Sequence, residues 1–178
     1  MHLQWEKSFH TTCPRDMAFA YLADLERHPE WSTALARMEK VADGDERGIG
    51  KTYLTWERHD FAPEGSFKRR LADALTKTRC EVRDLDPGRR MVLAARPVPS
   101  FGGSAVLTFE LGDPDHATHI RQQVVEHYPR PVALIMRTFM DITEDGIVRS
   151  LSTTVDRLKV ALDEQAGHEE AASPAAGS

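Results

Sequence analysis

Only two cysteines occur, Cys13 and Cys80, which excludes a disulfide scaffold or zinc ribbon and predicts a reducing, cytoplasmic setting. Cations are not in excess either. The formal charge is -5, against a nucleic-acid binder, whose basic face must attract phosphates. The densest basic stretch, Lys68-Arg69-Arg70, runs straight into Leu71-Ala72-Asp73 and reads as a solvated patch. No uncharged stretch reaches membrane-spanning length, and Met1-His2-Leu3-Gln4-Trp5-Glu6-Lys7 has no basic segment leading into an apolar run. Neither stable membrane insertion nor a secretory leader is expected. There is no internal repeat. What is present, 40% hydrophobic and 29% charged residues in a chain of 178, has room for one globular domain with a substantial core.

Periodicity changes twice along the chain. Leu3, Trp5, Lys7 and Phe9 alternate with Gln4, Glu6 and Ser8, as in a half-buried strand. Thr11 and Thr12 then offer helix caps, Pro14 suits a first helical turn, and Met17, Tyr21, Leu22 and Leu25 recur at helical spacing. Pro29-Glu30-Trp31-Ser32 reads as a second helical turn. Short β-prone runs follow: Leu35 to Val41, Lys51 to Arg58, Thr76 to Asp84, Arg90 to Arg96, Ser104 to Leu111 and Thr118 to Tyr128. Turn residues such as Gly48-Ile49-Gly50 and Asp86-Pro87-Gly88 separate them.

Beyond Pro131, Ile147, Leu151, Val155, Leu158 and Leu162 form the apolar stripe of a long closing helix. Asp141 to Gly146 is expected as the place where it breaks into two, because Gly146 is costly within a helix. From Ala166 the chain has little to bury, so a domain at 1–165 and a disordered tail at 166–178 are expected.

A twisted antiparallel sheet of about seven strands curls, and one helix does not fill its concavity. A cavity is therefore predicted between them. Ala105, Leu107, Phe109 and Leu111 share one face of their strand and are assigned inward. The next strand mixes polarity on both faces. Placing Ile120, Gln122, Val124, Glu126 and Tyr128 inward fits the apolar count better and puts Gln122 and Glu126 on the wall. Buried polar groups there need a partner or a ligand. Met136, Phe139 and Met140, in an adaptable apolar run, are assigned to the same wall or to ordinary core.

In this order the chain resembles the SRPBCC/START superfamily, particularly its polyketide cyclase/dehydratase-like branch. The resemblance rests on Pro14 to Ser32, the Gly48-Ile49-Gly50-Lys51-Thr52-Tyr53 turn, Thr78 to Val82 leading into Asp86-Pro87-Gly88-Arg89-Arg90, and the Leu151 to Leu162 stripe. It implies an α+β helix-grip fold, with two short helices after the first strand and a curved sheet wrapped on the C-terminal helix. Members bind lipids, polyketides, steroids or other hydrophobic molecules, and only some are enzymes. Trp31, at the cavity end in that fold, joins Tyr53, Trp56, Phe101 and Phe109 as the expected contacts, against a rival role in core packing. The long Arg58 to Leu75 insertion is either a flap over the mouth or a decorated turn.

Signals for other chemistry are weak. Gly50-Lys51-Thr52 lacks the P-loop's first glycine, since Asp45 stands there, and it opens a strand. His116 and His119 beside Asp113 and Asp115 read as a polar hairpin tip, so no metal and no cofactor are expected. His127, Glu126, Tyr128, Glu57 and Tyr53 are the acid–base candidates. Three functions follow: binding of a hydrophobic small molecule, of lipid, polyketide or aromatic type; a polyketide cyclase/dehydratase; or a ligand-free interaction or assembly factor. Ligand identity, catalysis and homodimer formation are left open by the sequence.

Overall fold

The computed structural model describes residues 1–58, 63–67, 69–70, 77–98, 103–112, 117–139 and 142–172, by backbone alone at 139 and 169–172. Seven antiparallel strands form one sheet in the order β1-β7-β6-β5-β4-β3-β2. They are β1 (His2–Thr11), β2 (Leu35–Ala42), β3 (Thr52–Glu57), β4 (Thr78–Asp86), β5 (Arg90–Pro97), β6 (Ser104–Gly112) and β7 (Thr118–His127). Each boundary lies within two residues of the alternation in the sequence. Helices α1 (Arg15–Ala23) and α2 (His28–Trp31) follow β1, joined by a tight turn at Leu25–Arg27. Helices α3 (Arg130–Phe139) and α4 (Glu144–Ala172) follow β7.

Side-chain alternation selects the inner face of the sheet. Thr118, Ile120, Gln122 and Val124 are buried on β7 while His119, Arg121, Gln123 and Val125 are only half-buried. On β6 the inward row is Ala105, Leu107, Phe109 and Leu111, with Phe109 wholly buried and Val106 exposed on the other side. Helix α4 lies across this concave surface and sinks Val155, Leu158 and Leu162 completely, one helical face at spacings of three and four.

Polar contacts fix the helix lengthwise. Lys7 Nζ donates to Asp156 Oδ1 at 2.6 Å, and Thr11 Oγ1 to Asp163 Oδ1 at 2.6 Å. Thr33 Oγ1 meets both Ser150 Oγ and Thr154 Oγ1 at 2.8 Å.

Two local expectations are corrected. Thr11 and Thr12 do not cap α1: their hydroxyls and the Thr12 N–H turn to Asp163, and Pro14 occupies the cap position. The expected break between Asp141 and Gly146 matches two closing helices, the second starting at Glu144, with the Thr143 hydroxyl accepting the Gly146 N–H at 3.1 Å. That second helix continues to Ala172, past the expected start of disorder at Ala166, because Ala166 still packs on the core.

Within the insertion, the Arg70 N–H donates to the Ser66 carbonyl at 3.0 Å. Thr76, the expected start of β4, lies outside the described residues. No helix of the described residues is long and apolar enough to cross a membrane.

Candidate functional site

Between the sheet and the N-terminal half of α4 lies a cavity of about 190 Å³. Its apolar wall comes from Leu35 and Met38 of β2, Leu93 of β5, Leu107 of β6, Leu151 of α4 and the Trp31 ring of α2. Polar residues gather on the same surface: Thr55 and Glu57 from β3, Gln122 and Glu126 from β7, then Tyr128, Ser150 and Thr154. Gly103 makes room for the Tyr128 ring, since a Cβ there would stand 3.0 Å from Tyr128 Cδ1.

Chain geometry explains which of the expected contacts arrive. Trp31, Leu107, Gln122 and Glu126 all line the cavity. Phe109, Val124 and Tyr53 face inward but are used up by packing: Phe109 receives the Trp31 ring edge-on at 6.5 Å, and Tyr53 belongs to the buried core near Lys40 and Glu26. None of these three lines the cavity. Trp56 is displaced more sharply. Alternation along β3 turns Tyr53, Thr55 and Glu57 inward and Trp56 outward, where the Arg37 guanidinium covers its ring at 3.9 Å.

Met136 sits on α3, away from the lining, because α3 is a separate helix. Phe101, Met140 and the Phe139 side chain lie outside the described residues, as do Asp113, Asp115 and His116. His127 points to the solvent face and is exposed.

Several polar atoms of the wall are buried without a hydrogen-bond partner among the described residues: Trp31 Nε1, Gln122 Oε1 and Glu126 Oε2. Gln122 is only 1% exposed. Leaving such a group unpaired costs about 1–3 kcal/mol. His28 is satisfied differently. Its Nε2–H donates to the Leu22 carbonyl at 2.8 Å, and burial holds its pKa down at about 4, so the ring is neutral at physiological pH.

The two carboxyls of the cavity shift the other way. Burial, reinforced by the negative charge of Glu126, pushes Glu57 up to about 8. Glu126 is itself raised by burial, with the Tyr128 hydroxyl opposing the rise by hydrogen bonding. Burial and the two carboxylates raise Tyr128 as well. Such a pair holds a proton at neutral pH, with one group able to donate it and the other to accept.

The sequence named Glu57 only as an acid–base candidate, placed Tyr128 on the inward face as well, and did not point to Thr55, Ser150, Leu151 and Thr154 as wall residues. Ser150 and Thr154, four apart and interrupting the apolar stripe of α4, carried the available signal. At the far side of α2, Glu30 is held by Tyr21 Oη at 3.0 Å and by the Arg27 guanidinium, which keeps the Trp31 turn in place.

No curated protein sequence matches the chain. Solved structures show the fold at low identity. A START superfamily protein from Mycobacterium smegmatis superposes with a TM-score of 0.61 at 9% identity, covering 94% of this chain and 99% of that one. The di-domain ARO/CYC StfQ from the steffimycin biosynthetic pathway gives 0.64 at 15% identity, with 94% and 53% covered. Major latex-like protein 151 from Panax ginseng gives 0.60 at 8% identity, with 90% and 97% covered. The helix-grip architecture of the SRPBCC/START superfamily is thus shared across them. At the level of sequence, residues 2–163 match one family over almost the whole chain, and the protein belongs to it: polyketide cyclase/dehydrase and lipid transport.

Proposed function

We propose that the protein binds a compact hydrophobic small molecule in the cavity under α4. The observation that carries this reading is Gln122 Oε1, buried on a mostly apolar wall with no partner among the described residues. A filled core has no use for such a group, whereas a ligand supplies the missing hydrogen bond. Size sets the class further. A cavity of about 150 Å³ accommodates benzene, so about 190 Å³ suits one or two fused rings.

Trp31, Leu107, Gln122 and Glu126 are the contacts this reading assigns. Two buried cysteines outside any disulfide, Cys13 and Cys80, support a cytoplasmic site of action. Native mass spectrometry of the purified chain, followed by fluorescence titration with 2-naphthol, tests it. An apolar adduct or saturable quenching that is lost in Trp31→Phe is expected; no adduct and no saturation would overturn it.

A second reading, a cyclase or dehydratase, is favoured by one observation: Glu57, raised to about 8, shares the cavity with Glu126. Protonated Glu57 would polarise a ligand carbonyl while ionised Glu126 takes the neighbouring carbon-bound proton. This reading predicts deuterium exchange into 2-indanone in heavy water, followed by NMR, that Glu126→Gln abolishes. An exchange rate equal to that of buffer sinks it.

A further inference from the structure

The charge of the cavity is one-sided, and on the binding reading above this narrows the ligand. Glu57 ends β3 and Glu126 lies near the end of β7, strands separated in the sheet by β4, β5 and β6. The curl of the sheet brings them onto one cavity, close enough for the charge of one to act on the other. No lysine or arginine is among the lining residues described. The lone imidazole, His28, has committed its Nε2–H to Leu22 and stays neutral.

Nearby cations are engaged elsewhere. Arg58 donates to the Leu35 and Pro29 carbonyls at 2.7 and 2.9 Å, and Lys77 stands over the outward Trp56 ring at 5.2 Å. Lys7 is held by Asp156 at 2.6 Å.

Acceptors also outnumber donors at the polar end. Gln122 Oε1 and Glu126 Oε2 are orphaned acceptors, against the single orphaned donor Trp31 Nε1. Buried carboxyls are normally paired with a cation. Here that cation is absent from the described wall, while much of the remaining surface is apolar and includes the Trp31 ring. We propose that the ligand itself is the cation: a compact, ring-bearing amine whose ammonium group sits between Glu57 and Glu126 and donates to Gln122 Oε1. An anionic amphiphile of the same size is repelled by the same groups.

Three probes of one shape separate the possibilities: 2-naphthylmethylamine, 2-naphthol and 2-naphthoate, titrated into the full chain at neutral pH by calorimetry. The amine is expected to bind at least about tenfold tighter than the naphthol, with the naphthoate weaker still. Binding of the amine also releases protons, seen as a heat that changes with the buffer. Glu57 must ionise to meet it, and the titratable groups that share its cavity are Glu126, which raises it, with Tyr128, neutral His28 and the Cys80 thiol. Glu57→Gln and Glu126→Gln each reduce the ratio of amine to naphthol affinity to under about threefold.

Should one variant fail to fold, the other and the wild-type series still decide. Naphthol binding with no amine preference overturns the proposal and leaves cavity binding standing. Failure of all three probes to bind overturns both.

Discussion

Helix α4 meets the same sheet in two different ways. Toward its C-terminal half it drives Val155, Leu158 and Leu162 into contact with a core that includes Leu22, Leu25, Phe109 and Ile120, all essentially without exposure. About two turns earlier, Ser150, Leu151 and Thr154 overlie the cavity. Both regions obey one alternation and one topology, so neither strand order nor twist causes the difference. It lies in residue choice: the inward positions of β3 and β7 that would hold aliphatic side chains in a filled core hold Thr55, Glu57, Gln122 and Glu126 instead. The dry end supplies stability, and the polar end costs some of it.

The largest expected effect separates the two ends directly. Leu158→Ala removes side-chain volume from a fully buried site and is expected to lose about 2–5 kcal/mol in urea unfolding. Leu151→Ala borders existing empty space, makes no new enclosed void, and is expected to lose about 1 kcal/mol or less. Equal losses at the two positions would break the comparison, because the cavity end would then be packed like the core.

Next in size is a pH effect confined to the polar end. Glu57 has its folded pKa raised from the ordinary 4.5 to about 8, so between those values the folded chain binds more protons than the unfolded one. The stability this brings is complete below pH 4.5 and is lost as pH rises through 8. Glu57→Gln removes the dependence. At pH 9 the variant is expected to exceed wild type by about 2 kcal/mol, allowing for solvent that reaches this half-buried side chain. At pH 4.5 it is expected to show no gain.

His28 slopes the other way. Lowered from 6.5 to about 4, it contributes stability above pH 6.5 that is lost as pH falls through 4. Thermal melts across pH 4 to 9 check both signs.

Most of this fold was legible, and the limits have physical causes. Strands were readable because alternation has a period of two on a sheet with a single core face, so β1, β6 and β7 reveal both their limits and their inner rows. The cavity was harder to read. Gln122 and Glu126 stood out because polar residues in an apolar row demand an explanation. Phe109 and Trp56 misled because an aromatic reads the same whether it packs, faces a ligand or stacks under Arg37; for Trp56 the deciding fact was its parity with Tyr53 and Thr55 on β3. The Ser150–Thr154 contribution was hidden since hydroxyls on a helix usually signal its wet side, and only the approach of Thr33 reveals them as inward.

A smaller effect tests whether the orphaned carbonyl is a burden that a ligand relieves. Gln122→Leu keeps the volume and removes the unpaired acceptor, so the empty protein is expected to gain about 1 kcal/mol in urea unfolding. The same variant is expected to weaken 2-naphthylmethylamine by about fivefold or more, having lost an acceptor for the ammonium. A gain in stability without a loss in affinity would assign Gln122 to neither the core nor the site.

The smallest expected effect concerns how the cavity end is held shut. Thr33 joins the chain after α2 to α4 through its hydroxyl, to Ser150 Oγ and Thr154 Oγ1 at 2.8 Å, while its N–H donates to Thr154 Oγ1 at 3.1 Å. Thr33→Val deletes the hydroxyl contacts, keeps the backbone one, and fits the same space, so about 0.5–1 kcal/mol is expected to be lost. Global stability barely registers so small a change, but local opening does. Hydrogen exchange at residues 147–154 is expected to accelerate in the variant and to slow again when a compact amine is bound, while residues 155–162 stay unchanged in both. Acceleration spreading through Leu158 and Leu162 would mean that the two ends open as one unit, and the distinction between a fixed core and a yielding cavity would not survive it.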